Sequence, residues 1–147
     1  MSLVKLTLDF ETFWAQDYSL SQRGMSITKY VHDPRFKAHG VGIKIDNRPS
    51  NWVTHNDLPR LFAKIPWHKV MLIAHNPKFD ASILKWIYGY SPRLILDTKG
   101  MSRALLGNIP AGFGLDAIGA VLFNRGKTDG LKETKDKYRD WETGRVS

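Results

Sequence analysis

The ten residues from Leu3 to Thr12, Leu-Val-Lys-Leu-Thr-Leu-Asp-Phe-Glu-Thr, constrain this chain more than any other stretch. Val4, Leu6, Leu8 and Phe10 alternate with Lys5, Thr7, Asp9 and Glu11. A period of two predicts a β-strand with one buried face. Asp9 and Glu11 are two residues apart, so both project to the polar side with Cβ atoms about 7 Å apart. Like charges that close disfavour each other unless a positive group sits between them. A hard divalent cation such as Mg²⁺ or Mn²⁺ is the usual remedy, because it prefers carboxylate oxygens. A solvated strand end with two surface acids is the other reading of the same pair.

The rest of the chain decides what that strand joins. With 147 residues there is room for one domain with a core, and a hydrophobic content of 42% marks a globular chain. There are no cysteines, which excludes disulfides and thiolate metal sites and points to a reducing cytoplasm. No apolar run approaches the roughly 20 residues that span a bilayer, and the start lacks a signal-peptide core, so no membrane partner is expected. Lysine and arginine number 22 against 14 acids, a net charge of +8 that suits a polyanionic partner, nucleic acid before others.

Further strands are expected at Ala38 to Ile45 and Asn51 to His55, around the turn Asp46-Asn47-Arg48-Pro49, as an antiparallel hairpin. Ser26 is expected to cap a short helical turn, and Asn56 to cap a helix bearing Leu58, Leu61, Phe62 and Ile65. Val70 to Ala74 reads as a strand covered on both faces. Asn76 is expected to cap the next helix, with Pro77 at its first position and Phe79, Ile83, Trp86 and Ile87 as its apolar stripe. A strand at Leu94 to Leu96, a helix over Thr98 to Leu106 and a buried helix over Leu115 to Phe123 follow. The expected organisation is an α/β domain over residues 1–124 and a charged segment over 125–147, a loop or an incomplete helical element.

If the first and fourth strands are neighbours, Asp9, Glu11 and Asp80 converge. Three acids on a basic chain suit two-metal phosphodiester chemistry.

The pattern resembles the DEDD superfamily of 3′–5′ exonucleases. Leu8-Asp9-Phe10-Glu11-Thr12 is similar to their first motif, and Ala74-His75-Asn76-Pro77-Lys78-Phe79-Asp80 to their second. The likeness is closer to the proofreading domains of phage and bacterial family A DNA polymerases, through segments like Lys29 to Phe36, Leu96-Asp97-Thr98 and Gly114 to Ala120. It implies a ribonuclease-H-like mixed sheet, with three antiparallel leading strands, then parallel strands, flanked by helices. It implies metal-dependent hydrolysis at a single-stranded DNA 3′ end, with Asp9, Glu11 and Asp80 holding Mg²⁺ or Mn²⁺ in a two-metal site. It places Thr12, Phe13 and Asn76 against the terminal nucleotide, and makes the location the host cytoplasm if the chain is phage-encoded. His75 is expected to be structural, Phe79 core, and Asp97 a supporting acid or a helix cap.

The superfamily's third motif, Tyr or His followed four residues later by Asp, has no match. Tyr138 and Glu142 have the spacing with glutamate in place of aspartate. The expectation is a domain truncated before that motif, with a polymerase domain or another chain supplying it. The alternative is a catalytically silent module of the same fold that binds nucleic acid or a polymerase.

Overall fold

The computed structural model describes residues 2–126. Tyr138 and Glu142, the pair with the spacing of the third motif, lie outside the described residues. The chain divides into two compact units, the first Met1–Met101 and the second beginning at Ser102.

The first unit is built on a five-stranded sheet. Its strands are β1 (Val4–Thr12), β2 (Ala38–Ile45), β3 (Asn51–Thr54), β4 (Val70–Ala74) and β5 (Leu94–Asp97), in the order β3-β2-β1-β4-β5. The β3-β2-β1 half is antiparallel, whereas β4 lies parallel to β1 and β5 parallel to β4. The hairpin therefore forms as the turn residues predict. Helices α1 (Ile27–His32), α2 (Leu58–Phe62) and α3 (Lys78–Trp86) connect the strands, and α4 (Thr98–Leu106) starts directly after β5.

β1 follows its sequence pattern residue by residue. Leu6, Leu8 and Phe10 are buried while Lys5, Thr7, Asp9 and Glu11 are exposed. The buried set joins Val41 and Ile43 of β2, Leu58 and Phe62 of α2, Val70 and Leu72 of β4, and Ile83 and Leu84 of α3 in one core. Full burial of a side chain such as Leu8 is worth about 1.5–3 kcal/mol. Aromatic rings tile this core: Phe62 meets Phe10 edge-on at 6.1 Å and Tyr88 at 5.0 Å.

Ser26 caps α1 as expected, its side chain accepting from the Lys29 N–H at 3.1 Å. Other local expectations are corrected. The cap of α2 is Asp57, not Asn56, and it makes no side-chain capping bond; its carboxylate accepts instead from the Thr54 hydroxyl at 3.2 Å. On α3 the buried face is Asp80, Ile83 and Leu84, while Trp86 and Ile87 are exposed. Trp86 packs beside the His32 ring of α1 at 4.9 Å, so the end of the helix leans on its neighbour rather than into the core. In β4, Val70, Leu72 and Ala74 are buried, but Met71 and Ile73 are only half-buried, so its two faces are not equally covered.

In the second unit α5 (Leu115–Phe123) occupies the expected residues, and Asn124 ends it in the left-handed conformation, φ 52°, its N–H donating to the Ala120 carbonyl at 3.1 Å. It is not the buried helix that its composition suggests. Ile118 is buried, whereas Leu115, Val121, Leu122 and Phe123 are exposed. Among the described residues, no helix is long and apolar enough to cross a membrane.

Gly40 shows how tightly the hairpin is fitted. A Cβ there would run into the Val53 carbonyl oxygen and the Trp52 indole of β3. Backbone cannot yield as a flexible side chain does, so Gly40→Ala is expected to destabilise the chain by about 1–3 kcal/mol. Thermal unfolding followed by circular dichroism checks this, and an unchanged midpoint would contradict the close packing of β3 on β2.

Candidate active site

The parallel strands carry the candidate residues at one end of the sheet. The ladder between β1 and β4 runs from Val4 opposite Val70 to Thr7 opposite Ile73 and stops there. β1 continues past it to Thr12. The Phe10 N–H therefore points beyond the end of β4, where no strand carbonyl meets it. A buried amide without an acceptor is costly, and a side chain supplies one. Asp80 Oδ1 accepts the Phe10 N–H at 2.9 Å, across 70 residues of sequence. The bond places the carboxylate of α3 between the backbone positions of Asp9 and Glu11. The expectation that the two motifs meet is met at the backbone.

The three acids differ in surroundings. Asp9 and Glu11 are exposed, while Asp80 is buried, with 6% of its surface accessible. Burial raises the Asp80 carboxyl to about 6; the Phe10 N–H works against that rise, and the charges of Asp9 and then Glu11 add to it. The charge coupling has the sign that a bound cation relieves. The donors fit a hard divalent ion in kind, being carboxylate oxygens. They are not gathered into a finished cage: among the described residues, no group of three Asp, Glu or His side chains is close enough together to hold a metal ion.

Thr12 and Phe13 follow the acids immediately. The pairing of β1 with β2 slips between Glu11 and Thr12, from Glu11 opposite Gly40 to Thr12 opposite Ala38, which leaves His39 as an extra residue in β2. Tyr30 of α1 holds the segment from below. Its hydroxyl bonds to the Thr12 hydroxyl at 2.9 Å and donates to the Phe13 carbonyl. The Phe13 N–H donates to the Lys37 carbonyl at 2.8 Å, and its ring stacks on Tyr18 at 6.1 Å. In the sequence Tyr30 is one member of the segment Lys29 to Phe36, and nothing in the spacing of its neighbours signals a bond to residues 12 and 13.

Asn76 sits at the junction of β4 and α3, exposed, and is not the helix cap. It adopts a left-handed conformation, φ 63°, and Pro77 takes the cap position. Asparagine tolerates this region better than most residues. Its N–H donates to Asp97 Oδ1 at 3.1 Å, and the same oxygen accepts the Lys99 N–H at 2.9 Å. Asp97 thus joins the start of α4 to the β4–α3 junction. Burial opposes its ionisation, but the amides of Asn76, Gly100 and Lys99 outweigh it and hold the carboxyl below the usual range. His75 is structural as expected: its Nδ1 lies 3.0 Å from the Thr98 hydroxyl, which donates to the Ala74 carbonyl at 3.3 Å. Phe79 is half-buried against the core.

The raised carboxyl of Asp80 makes a stability prediction. Its folded value, about 6, lies above the ordinary 3.8. Between those values the folded chain holds more protons than the unfolded one, so stability falls as pH rises through that window and stays reduced above it. Asp80→Asn keeps an oxygen for the Phe10 N–H and removes the buried charge. At pH 8 in a metal chelator it is expected to be more stable than the parent by up to about 3 kcal/mol, with the gap closing below pH 4. Urea midpoints across this range test it; a variant less stable than the parent at pH 8 would contradict the buried, unrelieved carboxylate.

No protein-family model and no curated protein matches the sequence. Solved structures do. Brucella melitensis NrnC matches with a TM-score of 0.61 at 18% identity, over 84% of this chain and 54% of that one; a second structure of it carries bound Mg²⁺. Trypanosoma brucei RNase D in complex with RNA U12 matches with a TM-score of 0.62 at 14% identity, over 88% of this chain and 43% of that one. Escherichia coli RNase D, described as an exoribonuclease involved in structured RNA processing, matches with a TM-score of 0.58 at 13% identity, over 87% of this chain and 30% of that one. This chain spans about half the length of NrnC and less of the others. At these identities the likeness is one of fold, and the fold is the ribonuclease-H-like mixed α/β sheet that the motifs imply.

Proposed function

We propose that this chain is the core of a divalent-metal-dependent 3′–5′ exonuclease of the DEDD type, acting on nucleic-acid 3′ ends. The observation that carries the reading is the Asp80 carboxylate bonded to the Phe10 amide, between Asp9 and Glu11. A purely structural acid does not need two further acids flanking the strand amide that it accepts. The neighbours named as nucleases or found with Mg²⁺ and RNA support the same reading.

In this proposal Asp9, Glu11 and Asp80 hold the metal, Mg²⁺ or Mn²⁺. When bound, a pair of such ions supplies an activated water and stabilises the leaving oxygen of the phosphodiester. Asp9 and Glu11 face outward, where an ion arrives from solvent. Asp80 contributes from beneath, and gives up its proton more readily once a cation is present. Thr12, Phe13 and Asn76 position the terminal nucleotide, with Phe13 offering a ring face for the base. The side chains from Arg60 to Lys69 add positive charge for the backbone.

DNA is the substrate in this proposal, by the resemblance of both motifs to polymerase proofreading domains, and a polymerase domain or partner chain completes the site with the third motif. The RNA bound in the Trypanosoma brucei neighbour favours a second reading, an exoribonuclease. A silent binding module is the third outcome that a direct assay separates.

The assay uses 5′-labelled single-stranded DNA and RNA of one sequence with Mn²⁺. With the third motif not supplied, the parent chain is expected to shorten DNA slowly from its 3′ end, and Asp9→Ala to abolish that residual cleavage, since removing a metal ligand disables the unit. Faster cleavage of RNA would select the exoribonuclease. Binding without cleavage by both proteins would select the silent module.

A further inference from the structure

The hydroxyl of Tyr30 is tied to the two residues that follow the acidic pair, and its ring to the residue that precedes Asp80. We propose that Tyr30 is a positioning residue that locks the Thr12–Phe13 segment and fixes the Thr12 oxygen as an acceptor for the substrate's 3′-hydroxyl. The inference rests on the nuclease reading above and gives its end-group selectivity a physical origin.

The argument is one of proton accounting. A tyrosine hydroxyl has a single proton to give. Tyr30 gives it to the Phe13 carbonyl, which can only accept. The bond between Tyr30 and Thr12 therefore runs the other way, with the Thr12 hydroxyl donating to Tyr30. That commits the only proton on Thr12 Oγ1. What remains on Oγ1 is lone pairs. A 3′-hydroxyl can donate to them; a 3′-phosphate, whose oxygens are acceptors, finds no donor there.

The ring is held as firmly as the hydroxyl. Tyr30 is 2% exposed. It stacks on Tyr18 at 4.5 Å with 6° between the planes, and the Tyr18 hydroxyl donates to the Tyr30 carbonyl at 2.7 Å. The guanidinium of Arg35 lies over the Tyr18 ring at 4.5 Å and is itself anchored to Asp33 and Asp17. On the other side the Phe79 ring lies 5.8 Å from Tyr30. One side chain thus connects the end of β1 to α3 beside both sets of acids. Burial raises the Tyr30 hydroxyl above its ordinary value, so the relay keeps its proton throughout the assay range.

Tyr30→Phe tests this by removing the hydroxyl and keeping the ring. Oligodeoxynucleotides ending in 3′-hydroxyl or 3′-phosphate are compared with Mn²⁺, reading KM and kcat, together with Mn²⁺ affinity by calorimetry and amide exchange at Thr12 and Phe13. The parent is expected to prefer the 3′-hydroxyl end at least tenfold. In the variant KM for that end should rise about five- to tenfold, with kcat within twofold and Mn²⁺ affinity unchanged. The preference over 3′-phosphate should shrink by a similar factor, as the Thr12 hydroxyl regains a proton to donate, and amide exchange at Thr12 and Phe13 should quicken. Unchanged KM and preference would overturn the role, as would parallel losses of kcat and Mn²⁺ affinity, which would make Tyr30 a support of the metal site instead. If Tyr30→Phe does not fold, Thr12→Val decides the part that concerns the acceptor: a preference for the 3′-hydroxyl left intact there overturns the proposal. A parent chain that neither binds Mn²⁺ nor engages either oligonucleotide defeats the nuclease reading itself, and this role with it.

Discussion

The hydrogen bond from the Phe10 amide to the Asp80 carboxylate is the contact on which the arrangement of the acids depends. It exists because β1 outruns β4. Had the parallel ladder continued beyond Thr7, a strand carbonyl would have taken the Phe10 amide and α3 would have had no polar anchor at the sheet. Instead the chain leaves β4 at Ala74, turns through the left-handed Asn76, and starts a helix whose third residue reaches back to β1. The bond brings Asp80 to the sheet and also buries it. The same contact that draws Asp80 to β1 is therefore what makes it hard to ionise.

Magnitudes separate two electrostatic effects that look alike in the sequence. Two exposed charges about 7 Å apart in water repel by only about 0.6 kcal/mol. Burying Leu8 or Phe10 on the other face of β1 outweighs that several times over, so the strand carries Asp9 and Glu11 without difficulty. The buried Asp80 is another matter, with a cost of up to about 3 kcal/mol at neutral pH when no cation is present. Most of the stored electrostatic cost sits on α3, not on β1.

Much of the fold was legible because it rests on period and punctuation. The alternation in β1, the Ser26 cap of α1, the turn at residues 46–49 and the extent of α4 and α5 all reflect short-range chemistry that the sequence carries openly. What was not legible depends on partners distant in the chain. Asn76 has the side chain of a helix cap, yet the amide it offers to Asp97 and the turn out of β4 put it in the left-handed region instead. The apolar composition of α5 implies burial, but composition does not name the covering surface, and most of its large side chains are exposed. Of the candidate site, the meeting of the two short acidic motifs was readable. The hydrogen bonds of Tyr30 were not, since a tyrosine in a six-residue helix carries no mark of a bond to residues 17 and 18 positions away.

Asp80 and Asp97 show why an acid at a strand end must be judged by its hydrogen bonds. Asp97 ends the parallel strand β5 and Asp80 lies in the first turn of the helix after β4, both on the side of the sheet where open α/β folds bind ligands. Asp97 faces several backbone amides, which act as a diffuse positive charge and keep it ionised without further help. Its Oδ1 accepts two of them, which links the start of α4 to the β4–α3 junction. Asp80 accepts one strand amide, too little to offset its burial, and faces two further acids. An anion compensated by amides has little to gain from a metal. An under-compensated one beside like charges gains more, so a cation near these acids would relieve Asp80 more than Asp97, whose backbone amides already offset its charge.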